Sequence, residues 1–299
     1  MEQDFYTVVL IVDDDESNRE MLEELLEDEG YKTAMARDGV EALELLEADP
    51  NLYGTILLDR MMPRMNGMEL LRIIKQNELL CRIPVVMQTA NALLDERLEG
   101  MRAGAWQYIT KPFEIQEVLV AVQVAIKHYQ DYKALEQQLL KNTNPKFTIT
   151  QSSHEFSSMD DIHELATTLA QNCPDPNRVL LGLVELLNNA IEHGNLGITY
   201  NEKKQWLKKG TWYENINIRY QLVENSEKKA SVTFKRSEKQ IQFLIEDQGD
   251  GFEWEKYMQF DSSRVLDPNG RGIAMAMALS FDKIIYHGKG NVVQAIVDL

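Results

Sequence analysis

The first half of the chain alternates between apolar, strand-like runs and helical segments, and this alternation limits the fold more than any other feature. Residues 7–12, T-V-V-L-I-V, are apolar on both faces, which is typical of a central strand in a parallel sheet. Further strands are predicted at 34–35, 55–58, 84–88 and 107–109, and helices between them at 18–29, 39–46, 67–76 and 95–103. Repeated strand–helix units predict an α/β doubly wound, parallel five-stranded sheet.

Polar residues stand where these predicted strands end. Asp13 and Asp14 follow the first strand, Asp59 the third, Thr89 the fourth and Lys111 the fifth. Ligands of such sheets bind beyond the carboxyl ends of the strands, so we expect these five side chains to lie together. Carboxylates in close proximity require a cation, and an all-oxygen site suits Mg²⁺. An aspartate beside Mg²⁺ can attack a phosphoryl group, whose oxygens a lysine and a threonine would contact.

The motifs V-D-D-D, L-L-D-R-M-M-P-R-M-N-G, Q-T-A and Y-I-T-K-P-F resemble those of two-component receiver domains, over about residues 4–127. The resemblance implies that Asp59 is the phosphoacceptor and that a sensor histidine kinase is the phosphodonor. It implies a Mg²⁺ site formed by Asp13, Asp14, Asp59 and the backbone carbonyl of Met61. It also implies a conformational switch formed by Thr89 and Tyr108. The Lys111–Pro112 peptide bond is commonly cis in that family.

Residues 114–141 contain no glycine and follow Pro112, so they predict a helix of up to seven turns. Its apolar stripe comprises Val118, Val122, Ala125, Tyr129 and Tyr132. Such a stripe can pair two chains in a homodimer through the 114–141 helix, or its first half can pack as the last receiver helix and leave a polar spacer. The predicted domains are a receiver at 1–127, a helical linker at 128–145 and a second domain at 146–299.

The stretch 185–195, E-L-L-N-N-A-I-E-H-G-N, carries the main polar cluster of the second half. Glu185, Asn189 and His193 recur at helical spacing, which places a general base one turn before an amide suited to Mg²⁺. Two glycine motifs follow: D-Q-G-D-G-F at 247–252, after a strand-like run, and N-G-R-G at 269–272, opening an apolar helix. Glycine turns let the backbone approach a ligand closely, and a helix N-terminus binds phosphate.

In this order the three motifs resemble the N, G1 and G2 boxes of the ATPase superfamily shared by gyrase, MutL, chaperones and histidine kinases, over about residues 147–299. The short lid between Gly251 and Gly270 most resembles that of bacterial anti-sigma-factor serine kinases. ATP and Mg²⁺ are therefore the expected cofactors. We expect Asn189 to hold Mg²⁺ and Glu185 to polarise the attacking hydroxyl. The expected nucleotide-binding residues are Asn189, His193, Asp247, Gly249, Gly251, Gly270, Arg271 and Gly272.

Within that set, Asp247 is expected to accept from the adenine amino group. His193 remains open between a ligand and a structural cap of the helix end. The surrounding pattern predicts a strand at 147–150, helices at 159–171 and 177–193, and hairpins at 229–246 and 283–298, which together make an α+β two-layer sandwich of the Bergerat type. The segment 201–221 has four aromatic residues and is either a partner surface or a helix with an aromatic packing face: Trp206, Trp212, Tyr213 and Tyr220.

The net charge of −17 predicts that nucleic acid is not a partner, because acidic surfaces repel phosphate backbones. No stretch has the roughly 18 apolar residues that a membrane span requires, so we expect a cytoplasmic protein without membrane contact. Cys81 and Cys173 have no neighbouring cysteine or histidine at ligand spacing and are interpreted as buried thiols.

Three functions fit these motifs. The first is a response regulator whose output domain is an anti-sigma-like protein serine/threonine kinase acting on a sigma factor, an anti-anti-sigma or another protein. The second is a histidine kinase fused to its receiver, with His128, His154 or His163 as the phosphorylated residue. That class needs a two-helix phosphotransfer hairpin, and the connector supplies a single helix before Pro145. The third is a non-catalytic, ATP-dependent partner-switching module, against which the presence of Glu185 argues.

Overall fold

A computed structural model of the chain describes residues 8–90, 94–141, 150–258, 269–270 and 272–299. The chain divides into two compact units, and the boundary falls between Asp131 and Tyr132, inside the segment predicted as a linker. Within the described ranges, no helix combines the length and the apolar character that crossing a membrane would need.

The first unit is a parallel sheet with helices on both faces. Its strands are β1 Val8–Val12, β2 Lys32–Ala36, β3 Tyr53–Asp59, β4 Val85–Thr89 and β5 Gln107–Thr110, in the order β2-β1-β3-β4-β5. Its helices are α1 Glu16–Asp28, α2 Gly39–Ala48, α3 Gly67–Gln76, α4 Leu94–Arg102 and the first part of α5 Ile115–Lys141. One core lies between the sheet and helices α1 and α5, and another between the sheet and α2, α3 and α4. The predicted five-stranded, doubly wound fold is confirmed.

Helix α5 supplies buried side chains to both units. Val118, Val122 and Ala125 are fully buried against β1, β3 and α1 in the first unit. Leu135 and Leu139 belong to the core of the second unit. The stripe that was a candidate dimer seam is therefore packed inside the chain, because the periodicity that pairs two helices also packs one helix on a sheet. The first half of α5 thus packs as the last receiver helix, as the second interpretation expected, but its second half is not the polar spacer of that interpretation, because Leu135 and Leu139 are buried.

The second unit is an antiparallel sheet covered by helices. Its strands are β6 Gln151–Phe156, β7 Ala230–Arg236, β8 Gln240–Glu246, β9 Lys283–His287 and β10 Val292–Asp298, in the order β6-β7-β8-β10-β9. Its helices are α6 Met159–Ala170, α7 Pro176–Asn189, α8 Tyr200–Lys208, α9 Trp212–Tyr220 and α10 Gly272–Leu279. One apolar core joins the sheet to α6, α7 and α10, so the predicted α+β layered architecture is confirmed.

Two local predictions differ from the structure or lie outside its described part. The predicted strand at 147–150 falls largely outside the described residues, and the first strand of the described part of this sheet is Gln151–Phe156. That strand is polar because it lies at an edge and pairs with β7 alone. In the segment 201–221, Trp206, Trp212 and Tyr220 pack against the core, which supports the packing interpretation, while Tyr213 is 60% exposed.

Candidate functional site

Three residues predicted from separate strand ends meet at the rim of the first unit. Lys111 Nζ donates to Asp13 Oδ2 at 2.6 Å and to Asp59 Oδ1 at 2.5 Å. Both aspartates are buried: Asp13 directly follows β1, and Asp59 is the last residue of β3. The backbone N–H of Met61 donates to Asp59 Oδ2 at 2.6 Å, and this bond orients the second carboxylate oxygen. The Lys111–Pro112 peptide bond is cis.

Burial and the contacts of Lys111 act in opposite directions on the pKa values at this rim. Burial raises the pKa of Asp59 and outweighs the opposite effect of the Lys111 ammonium. For Lys111, burial acts to lower the pKa, but hydrogen bonds to Asp13 and Asp59 raise it above its ordinary value. Two carboxylates and one ammonium leave an excess negative charge, and a hard cation such as Mg²⁺ fits a set of carboxylate and carbonyl oxygens.

The predicted carboxylate cluster is less compact than expected. Asp14 is exposed, and Lys111 contacts the other two aspartates. Among the residues that the structure describes, no group of three or more Asp, Glu, His or Cys side chains is placed to hold a metal. The buried carboxylates that could bind Mg²⁺ are therefore those of Asp13 and Asp59. Asp14 and the Met61 carbonyl, the other two predicted ligands, are close to them in the chain.

The predicted switch residues lie on neighbouring strands, β4 and β5. Thr89 is the last residue of β4 and is 5% exposed, and its carbonyl accepts from the N–H of Lys111 at 2.8 Å. Tyr108 is fully buried in β5, and burial raises the pKa of its hydroxyl. A Cβ added at Gly100 would overlap that hydroxyl, so Tyr108 points inward against α4. Thr89 and Tyr108 therefore lie on adjacent strands, with the hydroxyl of Tyr108 packed inside.

The second unit contains a cavity of about 590 Å³ that brings together the three sequence motifs. The predicted residues that line it are Glu185, Asn189, His193, Asp247, Gly249, Gly251, Gly270 and Gly272. Arg271 lies outside the described residues. These residues come from α7 and the residues that follow it, from the turn after β8 and from the start of α10, so the cavity joins positions as far apart in the chain as Glu185 and Gly272. A cavity of this size suits a nucleotide-sized ligand.

The motif helix changes its winding where its polar residues are concentrated. Helix α7 ends at Asn189, and Ala190–Asn195 continues as a π-helix, a form that is frequent at functional sites. Asn189 Nδ2 donates to Glu185 Oε1 at 3.3 Å, which leaves the Asn189 carbonyl oxygen for a cation. Burial raises the pKa of Glu185, and Lys203 acts in the opposite direction. A raised pKa suits a carboxylate that accepts a proton.

His193 behaves as a structural residue that also lines the cavity. Burial lowers its pKa to about 4, so the ring is neutral near pH 7. Its Nδ1 lies 2.5 Å from the carbonyl oxygen of Ile198, which requires Nδ1 to be the protonated nitrogen. The interpretation of His193 as a structural cap is therefore supported by a specific hydrogen-bond partner, the carbonyl oxygen of Ile198.

The carboxyl group of Asp247 is in close contact with two glycines, Gly249 and Gly194. Its Oδ1 accepts from the N–H of Gly249 at 2.8 Å, and burial raises its pKa to about 6. A Cβ at Gly194 would overlap the Asp247 carboxyl group, so the π-helix and this turn require close backbone contact. Asn291 Nδ2 donates to the Asp247 carbonyl at 3.1 Å and holds the turn against the β9–β10 hairpin. Gly194 and Asn291 were not predicted as site residues, because their contacts with Asp247 form only in the folded unit.

At the other end of the cavity, Gly270 and Gly272 are each required to be glycine for a different structural reason. Gly270 has a φ of +84° and packs against the ring of Tyr200, which excludes a side chain. A Cβ at Gly272 would overlap Oε1 of Glu185. The general base predicted from the sequence and the glycine turn predicted for phosphate are therefore in direct contact.

Comparison with known proteins agrees with this division of the chain. Residues 9–123 match the family described as response regulator receiver domain, and residues 158–297 match the family described as histidine kinase-like ATPase domain. The first half of the chain is therefore a response regulator receiver domain. The chain combines that receiver with a histidine kinase-like ATPase domain in its second half.

Three similar proteins match between 40% and 55% of the chain. The chain is 34% identical over 134 residues to the response regulator MprA of Mycobacterium bovis (strain BCG / Pasteur 1173P2), covering 44% of this chain and 56% of MprA. It is 34% identical over 165 residues to the DNA-binding transcriptional regulator NtrC of Escherichia coli (strain K12), covering 55% of this chain and 33% of NtrC. A crystal structure of a putative response regulator from Chloroflexus aurantiacus J-10-fl is 34% identical, covers 40% of this chain and 98% of that one, and has a TM-score of 0.39. The chain spans about half or less of the length of these curated relatives.

Proposed function

We propose that this chain is a phosphorylation-controlled response regulator whose output domain binds ATP–Mg²⁺ and phosphorylates serine or threonine in a partner protein. The proposal assigns the receiver to 1–127, a helical linker to 128–145 and the output domain to 146–299. The proposed donor is a sensor histidine kinase, and the proposed substrate is a sigma factor, an anti-anti-sigma or another regulatory protein. The observation that carries it is the meeting of Glu185, Asn189 and Gly272 in one cavity with Asp247.

In the receiver, the proposed reaction is attack of an Asp59 carboxylate oxygen on the donor phosphorus, with release of the donor imidazole. Lys111 and Thr89 stabilise the phosphoryl oxygens, since Lys111 already contacts Asp59 and Thr89 stands at the adjacent strand end. Mg²⁺, when bound by Asp13, Asp14, Asp59 and the Met61 carbonyl, would neutralise the charge that develops on the phosphoryl group. The phosphorylated aspartate would draw Thr89 toward it and give Tyr108 a different packing.

In the output domain, the residues divide into binding and chemistry. Asp247 accepts a hydrogen bond from the adenine amino group, and Gly249 and Gly251 let the base approach. Asn189 would hold Mg²⁺ through its carbonyl oxygen. Glu185 takes the proton of the partner hydroxyl as that oxygen bonds to the γ-phosphorus and the bond to ADP breaks.

The test of the output domain separates nucleotide binding from phosphoryl transfer. Calorimetry with a non-hydrolysable ATP analogue and transfer of labelled γ-phosphate to co-purified partners are measured on the full chain. Glu185→Ala should retain nucleotide affinity and lose transfer, because Glu185 acts on the hydroxyl and not on the base. Asp247→Asn should weaken binding roughly tenfold to a hundredfold, the effect of one hydrogen bond to a charged group.

Two outcomes would contradict this assignment. Equal affinities of the wild type and Asp247→Asn for the analogue would exclude Asp247 as the adenine acceptor. Transfer that persists in Glu185→Ala would exclude Glu185 as the base. If wild type binds the analogue, alters its partner complex and transfers no label, the chain is the non-catalytic partner-switching module.

The test of the receiver uses a small phosphodonor such as acetyl phosphate with Mg²⁺ and the mass of the intact protein. Asp59→Asn should abolish the added phosphoryl mass, because Lys111 contacts Asp59 at the carboxylate that is proposed to react. Asp28→Asn is the matched control, since Asp28 is an exposed aspartate at the end of α1. Labelling that survives in Asp59→Asn, or in excess chelator, would overturn the assignment.

A further inference from the structure

Helix α8 brings a lysine into the nucleotide cavity that belongs to none of the three sequence motifs. Lys203 lines the cavity together with Glu185 and Gly270. Its Nζ forms an ion pair with Glu192, a buried residue of the π-helix that is 3% exposed. It also lies 5.1 Å from the centre of the Trp212 ring, so α9 supports it from the other side. The cation is held in place before any ligand is bound.

The position of α8 places Lys203 at the glycine end of the cavity. Asn269 Nδ2 donates to the carbonyl of Tyr200 at 3.0 Å, and the Tyr200 ring packs on Gly270. Tyr200 and Lys203 are three residues apart on the helix and therefore share one face. A helix that begins with a glycine turn, as α10 does at Gly272, is where phosphate binds.

The charges around Lys203 keep its amino group protonated. Glu185 and Glu192 both interact with it electrostatically and raise its pKa against the opposite effect of burial. An ammonium has three N–H donors, and one ion pair with Glu192 does not exhaust them. Lys228 also lines the cavity, but its Nζ donates to the carbonyl of Asn195 at 2.8 Å and to Oδ1 of Asn225 at 3.1 Å.

We propose that Lys203 binds the terminal phosphate of the nucleotide and gives the site its preference for a triphosphate over a diphosphate. The inference rests on the proposed function, because it requires the phosphates to lie at the Gly270–Gly272 end of the cavity. Glu192 holds the ammonium in position, and the terminal phosphate competes with Glu192 for it. Lys203 thereby adds a contact from α8 to the site formed by α7, the turn after β8 and α10.

The test compares the affinities of the full chain for AMP-PNP and for ADP, each with Mg²⁺, by calorimetry. Lys203→Met should lower the affinity for AMP-PNP about tenfold to a hundredfold, the effect of one lost contact between charged groups, and leave the affinity for ADP unchanged. Lys208→Met is the matched control, because Lys208 is an exposed lysine at the end of the same helix. It should change neither affinity.

A second pair of variants separates a binding role from a structural one. Lys203→Met leaves the buried Glu192 carboxylate without its partner, which can destabilise the fold. The double variant Lys203→Met/Glu192→Gln removes both charges and should show the same selective loss for AMP-PNP. Glu192→Gln alone releases Lys203 and should increase the ratio of AMP-PNP affinity to ADP affinity.

The outcomes distinguish this inference from the proposed function. If the double variant keeps the wild-type ratio of the two affinities, Lys203 only neutralises Glu192 and the inference is overturned while the proposed function stands. If wild type binds neither nucleotide, the proposed function fails and the inference fails with it.

Discussion

Asp247 makes a quantitative prediction about stability, because burial raises its pKa from 3.8 to about 6. The native state therefore binds this proton more tightly than the unfolded state. The unfolding free energy falls as the pH rises from 3.8 through about 6, and above that pH the ionised carboxylate carries its full cost. The pKa difference corresponds to about 3 kcal/mol, which solvent screening of this half-buried group reduces to about 2 kcal/mol.

Asp247→Asn removes that charge and keeps an oxygen that can accept from the N–H of Gly249. We expect the free energy of unfolding of the variant to be about 2 kcal/mol higher than that of wild type at pH 8, although the variant binds nucleotide more weakly. The difference between the two free energies of unfolding should become smaller as the pH is lowered to 5.5. Urea titration, monitored by tryptophan fluorescence, measures this difference, since Trp206, Trp212 and Trp254 belong to the second unit.

Asp282→Asn is the matched control with the opposite sign. Its hydrogen bond from Arg178 Nη2, at 2.7 Å, lowers the pKa of Asp282, so this carboxylate stabilises the fold above its ordinary pKa and the variant should be less stable at pH 8. The reasoning is refuted if Asp247→Asn is no more stable than wild type at pH 8, or if the difference between their free energies of unfolding is the same at pH 5.5.

Two further substitutions test the core and the site of the second unit. Leu139→Ala should lower the free energy of unfolding of this unit by about 2–5 kcal/mol, because Leu139 is buried in its core. Leu140→Ala is the control and should have little effect, because that side chain is 66% exposed. Urea titration of both variants tests whether the end of α5 is part of this core. Gly272→Ala should displace the Glu185 side chain and reduce phosphoryl transfer while the midpoint of thermal unfolding stays near that of wild type. Full transfer activity in Gly272→Ala would show that Glu185 acts from another position.

The sequence allowed the first unit to be predicted almost completely, because its strands are buried on both faces and read as continuous apolar runs. The convergence of Asp13, Asp59 and Lys111 then followed from the rule that parallel strands end at one edge. Edge strand β6 at Gln151–Phe156 was not predicted, because its polar residues carry little apolar signal. Lys203 was missed for another reason. Its role depends on where α8 packs, and a lysine in a charged helix has no signature of its own.

The stripe on α5 shows how one pattern can serve two kinds of contact. Val118, Val122 and Ala125 recur as they would in a pair of helices, yet they pack on the strands of their own unit. Periodicity identifies the buried face of a helix and does not identify what covers it.

The shared helix α5 also limits how this chain can be cut and recombined. A fragment that starts at residue 146 would lack Leu135 and Leu139 and would expose the apolar surface that they cover. The smallest independently expressed output fragment should therefore begin within the last turns of α5. An exchange of either half between proteins must therefore keep, with each unit, the residues of α5 that belong to its core.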